Sequence, residues 1–268
     1  MERRRLTTSA SKTPDRRRAE VLEALGGLYL RLNGYFCIRN YLQHRTTGFG
    51  LETESDVLAI RMPYQSEVLG DGRVQRNDDD FVFPERFPAI DCVVAEVKEA
   101  SVEFNRSVRG ADGVHRIAAA LRMFGIFPSD AFAPGGTAAE MAEELHRKIR
   151  AKVWSEYPRA FAPEQRVSVR LLVFAPDTAK HSDERAHIDF QHVLDFTRGR
   201  MRPGVPCAHY RDPKVATASP WRGCTRLIVE VLDESFAWHE AKIPVEQLIE
   251  RCIAKWSALE GSENGIGT

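Results

Sequence analysis

The spacing of apolar positions divides the first part of the chain into one helix and three strands. Apolar residues recur every three or four positions over residues 15–32, which predicts an amphipathic helix with Asp15 as its N-cap. The pair Gly26-Gly27 weakens this helix but permits close packing. Short runs rich in branched and aromatic residues follow, and they predict strands. These strands are predicted over residues 35–43, 57–62 and 90–98.

The second half mixes helical spacing with two further apolar runs. Residues 44–53 are predicted to form a turn, and residues 64–89 form a long polar insertion that we expect to contain a small hairpin. Helices are predicted over residues 113–124, 137–153, 188–200 and 244–259, and strands over residues 167–174 and 226–232. The order of elements predicts a single α/β domain over residues 15–260, in which helices cover a mixed central sheet. Tails are predicted at residues 1–14, which are basic and disordered, and at residues 261–268.

Composition narrows the class of protein. Hydrophobic residues make up 43% of the chain and charged residues 28%, which is typical of a soluble globular protein. No apolar run approaches the roughly 18 residues that cross a bilayer, and no signal peptide is evident, so a cytoplasmic protein is expected. The five cysteines are odd in number, widely spaced and lack a C-x-x-C pair, which predicts reduced, buried thiols.

Charge is unevenly distributed, although the formal net charge is zero. Residues 1–18 are strongly basic, so the remainder has no basic excess, which is unusual for a tight sequence-reading DNA-binding protein. Basic residues at 148–152 together with Arg166 and Arg170 offer a surface for phosphates, or simply a solvated face.

The strongest chemical signal is the end of the third strand, which reads IDCVVAEVK over residues 90–98. Its central run is apolar on both faces, as in a buried central strand. Glu96 and Lys98 project from one face because side chains alternate along a strand. Charged groups beside a core are costly unless they are paired or hold an ion. A metal site is one interpretation, and a strand that reaches solvent is the other, since the same triplet recurs at residues 240–242.

A helix, a strand, an Asp-bearing strand and an E-x-K strand in this order resemble the PD-(D/E)xK superfamily of restriction-endonuclease-like nucleases. The resemblance covers residues 15–125 and implies an αβββαβ core with additional C-terminal α/β elements. It implies that Asp56, Glu96 and Lys98 are catalytic, and that Asp56, Glu96 and the Val97 carbonyl bind Mg²⁺, with Mn²⁺ as a substitute. It adds Glu23 on the first helix. Glu20 remains an alternative to Glu23, and Asp91 an alternative to Asp56.

The resemblance implies a metal-dependent endonuclease that hydrolyses phosphodiester bonds, with DNA favoured over RNA as substrate. A homodimer or an activating protein is an expected partner, and no membrane is expected. The alternative is a non-catalytic domain of the same fold that binds a protein or a nucleic acid.

Overall fold

The structure of the chain is a computed structural model, and it describes residues 13–44, 51–63, 78, 90–151, 157–177, 186–201, 223–240 and 242–263. Helices and strands alternate irregularly along these segments. The helices are α1 Pro14–Leu32, α2 Arg106–Arg109, α3 Gly113–Met123, α4 Thr137–Ala151, α5 Phe190–Met201, α6 Cys224–Ala237 and α7 Val245–Glu263, with a 3₁₀ turn at Ser129–Phe132. The strands are β1 Phe36–His44, β2 Leu51–Arg61, β3 Ile90–Val97, β4 Arg159–Ala162, β5 Val167–Ala175 and β6 Ile188–Asp189.

The strands form one mixed sheet in the order β1-β2-β3-β5-β4. Strands β1, β2 and β3 are antiparallel neighbours, whereas β5 runs parallel to β3. Strand β5 also pairs with β4 in antiparallel and with β6 in parallel orientation. The fold is therefore α/β with an open, mixed central sheet flanked by helices, which confirms the predicted class.

Two hydrophobic cores cover the two faces of the sheet. Val93 and Ala95 of β3 lie in a core with helices α1, α5, α6 and α7. Cys92 and Val94, which point the other way, lie in a core with helices α3 and α4. Both faces of β3 are buried over residues 92–95, and these four central residues are accordingly apolar.

Helix α1 packs closely against the sheet through its paired glycines. A Cβ atom on Gly26 would lie 3.2 Å from a ring carbon of Phe174, and one on Gly27 would lie 3.1 Å from Cδ of Arg39. The helix begins at Pro14 with Thr13 as its N-cap, so the predicted cap at Asp15 is wrong. Proline suits the first helical position, and Asp15 in the first turn instead complements the helix dipole.

One predicted strand is a helix. Residues 226–232 belong to α6, not to a strand. The run RLIVEVL is apolar at almost every position, and such a short run does not distinguish a buried helix from a buried strand. Over the whole element most of the buried residues recur at helical intervals, namely Cys224, Leu227, Ile228, Val231, Leu232 and Ser235, and Thr225 and Val229 are buried beside them. Strand β4 and helix α2 are not predicted by the sequence patterns.

The predicted thiol state is confirmed for the described cysteines, which are free. Cys92, Cys224 and Cys252 are buried and Cys37 is half-buried. Burial raises the pKa of the Cys37 and Cys252 thiols to about 12 and raises that of Cys92 further, so the reactive thiolate is disfavoured. No helix in the described segments combines the length and the apolar character needed to cross a membrane.

One residue of the polar insertion is described, and it is anchored to two helices. Asp78 accepts hydrogen bonds from the Tyr29 hydroxyl at 2.5 Å and shares one with Nε2 of His192 at 2.7 Å. Its backbone N–H donates to Oδ1 of the buried Asn33 at 2.6 Å. These contacts fix this point of the insertion against α1 and α5. The predicted hairpin lies outside the described residues.

Candidate active site

Asp56 lies inside strand β2, at a point where regular strand pairing is interrupted on both sides. The ladder between β2 and β3 ends at the pair Val57–Ala95, and the next N–H of β3 that faces β2, that of Val97, donates to Oδ2 of Asp56 at 2.6 Å. On the other side, Asn40 of β1 lies opposite Asp56 with a φ of 55°, in the left-handed region that asparagine tolerates. The sequence predicted Asp56 just before a strand that starts at residue 57. Strand β2 instead starts at Leu51, so Asp56 lies within the strand and its carboxylate is beside the end of β3.

Glu96 and Lys98 form a close ion pair at this end of β3. Nζ of Lys98 lies 2.6 Å from Oε2 of Glu96, whose side chain is 2% exposed. The Lys98 side chain is 18% exposed, so it lies between the buried carboxylate and solvent. The backbone N–H of Lys98 donates to the carbonyl of Phe174 in β5 at 2.8 Å, which fixes the strand end. The predicted placement of the two side chains on one face is consistent with this contact.

Asn105 completes the group, and the sequence reasoning did not identify it. Its Oδ1 accepts a hydrogen bond from Nζ of Lys98 at 2.6 Å, and its backbone N–H donates to the Glu96 carboxylate. Asn105 occupies the N-cap position of α2, but its side chain makes no capping hydrogen bond. An asparagine just before a helix is normally interpreted as a cap, so the sequence contains no signal of this contact.

The four polar groups form one electrostatic unit. The pKa of the Glu96 carboxyl is raised to about 7, chiefly because burial disfavours its charged form, and the charge of Asp56 raises it further. Lys98 and the Asn105 N–H act in the opposite direction. Burial also raises the pKa of Asp56, against the effects of the Val97 N–H and the Lys98 charge. Both carboxyl groups are thus hard to ionise together, and a bound cation would stabilise their charged forms.

Stability should depend on pH through Glu96. Its pKa is about 7 in the folded chain and about 4.5 as an isolated group. The native state therefore binds the proton more tightly than the unfolded state, so this contribution is complete below pH 4.5 and lost as the pH rises through 7. We expect metal-free wild type to lose about 3 kcal/mol relative to Glu96→Gln across this range. Urea denaturation in EDTA at several pH values measures the difference.

Glu143→Gln on the exposed face of α4 is the matched control, and its curve should run parallel to that of wild type. A difference between wild type and Glu96→Gln that does not change between pH 4.5 and 8 would contradict the assigned environment of Glu96.

Glu23 and Glu20, the acidic residues of α1 that the resemblance implies, do not join the site formed by Asp56, Glu96, Lys98 and Asn105. Within the described segments, no three or more His, Cys, Asp or Glu side chains are placed to hold a metal ion together, so neither Glu23 nor Glu20 joins Asp56 and Glu96. Glu20 lies 3.4 Å from Arg16 in an intrahelical pair. Helix α1 covers the sheet face opposite to that of Glu96, although Arg18 reaches Glu99 at 3.5 Å beyond the end of β3.

Asp91, the alternative to Asp56, belongs to a separate network. It lies five residues before Glu96 in β3, about 16 Å away at ~3.3 Å per residue, and on the other face of the sheet. Its carboxylate pairs with Arg170 and accepts a hydrogen bond from Tyr35. Of the two acids, Asp56 is the one that the structure brings to Glu96. Arg170 is fully buried, so the phosphate-binding surface suggested by the sequence does not include it.

The recurring E-x-K triplet has a different setting. Glu240 pairs with Arg251 at 2.6 Å, and Lys242 is exposed in the segment between α6 and α7. The buried pair and the second carboxylate therefore distinguish Glu96-Val97-Lys98 from the same letters elsewhere. In comparisons of the chain with known proteins, no family model, no curated protein and no solved structure matches it.

Proposed function

We propose that this chain is a metal-dependent nuclease of the PD-(D/E)xK type that hydrolyses phosphodiester bonds in DNA. The observation that supports this most is the convergence of Asp56, Glu96 and Lys98 at the end of β3. The order of elements supports the implied αβββαβ core if the short strand β4 is an addition. Helix α1 precedes three antiparallel strands, and helices α2, α3 and α4 precede β5, which is parallel to β3. Helices α5, α6 and α7 are then additions.

The residues fit a hard divalent cation. Mg²⁺ prefers carboxylate and carbonyl oxygens and keeps several waters, so Asp56, Glu96 and the Val97 carbonyl would hold it without a third acidic side chain. The raised pKa values of the two carboxyls are consistent with a site that favours a positive charge. Bound there, Mg²⁺ or Mn²⁺ would lower the pKa of a water and offset the negative charge of the phosphate.

Lys98 would orient the attacking water and the scissile phosphate. Its ammonium is a compact charge with three hydrogen-bond donors, of which one reaches Glu96 and another Asn105. The third donor would then serve a water or a phosphate oxygen. In the reaction the water oxygen bonds to phosphorus and gives up a proton to solvent. The bridging P–O bond breaks, and its electron pair leaves with the sugar oxygen, which takes up a proton from solvent. Asp56 and Glu96 keep the water and phosphate in line.

Cleavage of supercoiled plasmid tests the proposal directly. Supercoiled, linear and single-stranded DNA and RNA are incubated with the full chain in Mg²⁺, Mn²⁺ or EDTA. We expect nicking or cutting of DNA in either metal, no cutting in EDTA, and slower cutting of RNA. Glu96→Ala, which removes a ligand, should give no product.

A chain that leaves all four substrates intact in both metals would contradict the proposal. Retention of DNA or of a protein on the same chain would then favour the alternative, a non-catalytic domain of this fold. The number of acidic groups suits that alternative: among the residues that the structure describes, two carboxylates converge here, and many metal sites gather more.

A further inference from the structure

Asn105 binds both members of the buried ion pair. Its side-chain oxygen accepts from Nζ of Lys98 at 2.6 Å, and its backbone N–H donates to the carboxylate of Glu96. The same residue therefore contacts the ammonium through its side chain and the carboxylate through its backbone. Since Glu96 itself contacts Nζ at 2.6 Å, the three groups form a closed triangle of charge-assisted hydrogen bonds.

The side chain of Asn105 is diverted from its usual role. An asparagine at an N-cap normally accepts from the second or third N–H of the helix. Here the N–H groups of Val108 and Arg109 donate to the backbone carbonyl of Asn105 at 2.9 and 3.1 Å, and the side chain makes no capping bond. The contact with Lys98 is thus made at the expense of a cap, whose loss costs about 1 kcal/mol.

The neighbours of Asn105 hold it in place. Phe104 and Val102 are buried in the core formed with α3 and α4, at 2% and 0% exposed. Nε of Arg109 donates to the carbonyl of Phe104 at 2.8 Å, and its Nη1 lies 2.8 Å from Glu103. The loop that leads from Lys98 to Asn105 is therefore anchored to a packed layer, which is the arrangement that positions a side chain for chemistry.

We infer that Asn105 is a positioning residue, which holds the Lys98 ammonium beside Glu96 and Asp56 for the hydrolysis proposed above. An uncharged amide suits this task because it orients the ammonium without adding a third negative charge. If Glu96 turns toward a cation, Asn105 still holds Lys98. The inference rests on the proposed function for its catalytic consequence, whereas the contact itself is a property of the metal-free chain.

The test compares Asn105→Ala with wild type in two assays on the full chain. In steady-state plasmid cleavage we expect kcat to fall about 10- to 100-fold with KM within about twofold, as for other residues that orient an active-site group. In the second assay the metal-free protein is treated with an amine-acylating reagent, and modification of Lys98 is followed by peptide mass spectrometry. Lys98 should react several-fold faster in Asn105→Ala.

Asn105→Asp is the conservative variant. It retains an acceptor for Lys98, so the acylation rate of Lys98 should return close to that of wild type. Asp112→Ala is the matched control, because Asp112 also occupies an N-cap position, on α3, and likewise makes no side-chain cap bond. We expect it to change neither kcat nor Lys98 reactivity. Thermal melts of all variants identify any that fail to fold, in which case Asn105→Ser replaces the alanine variant.

The two assays separate the inference from the proposed function. Unchanged Lys98 acylation in folded Asn105→Ala overturns the inference, whatever the cleavage assay gives. If wild type does not cleave, the nuclease proposal fails, while faster acylation of Lys98 in the variant still supports positioning of Lys98 by Asn105. Faster acylation with unchanged kcat overturns the catalytic part of the inference.

Discussion

Replacing Lys98 with alanine is expected to lower the rate of metal-dependent DNA cleavage about 10²- to 10⁴-fold, the range typical of a positioned group that assists proton transfer. Nζ of Lys98 lies 2.6 Å from Glu96, and its charge lowers the pKa of both Glu96 and Asp56. Alanine removes the proposed donor to the water and the phosphate but retains both carboxylates. Single-turnover cleavage of supercoiled plasmid at saturating Mg²⁺ measures the loss.

Metal titration distinguishes the role of Lys98 from that of a ligand. The ammonium competes with a cation for the Glu96 carboxylate, so Lys98→Ala should bind Mn²⁺ at least as tightly as wild type in calorimetry. Glu96→Gln removes the charge of the proposed ligand and should weaken Mn²⁺ binding about 100-fold or more, at least as much as loss of an outer-shell partner. Equal weakening by both substitutions would contradict the assignment of Lys98 as the non-ligand.

Lys242→Ala is the matched control for this experiment. Lys242 ends the second E-x-K triplet and is exposed, and Glu240 is paired with Arg251. We expect wild-type cleavage and wild-type metal binding. If Lys98→Ala cleaves as fast as Lys242→Ala, Lys98 has no part in the chemistry and the nuclease proposal loses its main support.

The parts of the fold that the sequence predicts well are those whose apolar pattern is long or sharply bounded. Helix α1 and strand β3 lie within a residue or two of their predicted limits, because one shows four helical repeats and the other an apolar run that stops at a charged pair. The prediction of a strand over residues 226–232 was wrong because the branched residues of this segment favour strands. The segment is instead a helix, α6, that is buried by packing against α1 and α7. Tertiary packing, not local preference, decides such an element.

The site likewise contains residues that the sequence predicts and residues that it does not. Glu96 and Lys98 share a face by strand geometry alone, and Asp56 reaches them because β2 is the antiparallel neighbour of β3. Asn105 depends on the course of the loop after Lys98, which no periodic pattern describes. Glu23 does not join Asp56 and Glu96, because α1 covers one face of the sheet and the Glu96 side chain lies on the other.

The choice between Asp56 and Asp91 also depended on a contact that the sequence does not signal. Arg170 is 79 positions from Asp91, and both of its neighbours in the sequence, Val169 and Leu171, are apolar. The parallel pairing of β3 with β5 places Asp91 beside Ser168, within reach of Arg170. Nε of Arg170 lies 3.1 Å from Oδ1 of Asp91, and its Nη2 donates to the Tyr35 hydroxyl at 2.6 Å. Asp91 therefore neutralises a buried cation.

Replacing Asp91 with alanine is expected to lower the free energy of unfolding by about 3 to 5 kcal/mol. Arg170 is 0% exposed, so the substitution leaves a guanidinium in the core without its carboxylate. Burial raises the pKa of Tyr35, whose phenol stays neutral and does not replace the lost charge. Urea denaturation at pH 7 measures the change. Tyr35→Phe removes a hydrogen bond and no charge, and should lower stability by about 1 kcal/mol.

The double variant Asp91→Ala/Arg170→Met separates the loss of the pair from the burial of an unpaired charge. Methionine fills much of the space of the arginine without its charge, so the double variant should be more stable than Asp91→Ala alone. A loss below about 1 kcal/mol in Asp91→Ala would contradict the buried pair. The milder Asp91→Asn should cleave DNA normally when folded, whereas Asp56→Asn should not. Normal cleavage by Asp56→Asn with loss in folded Asp91→Asn would instead move the functional acid to Asp91, at the far end of the strand.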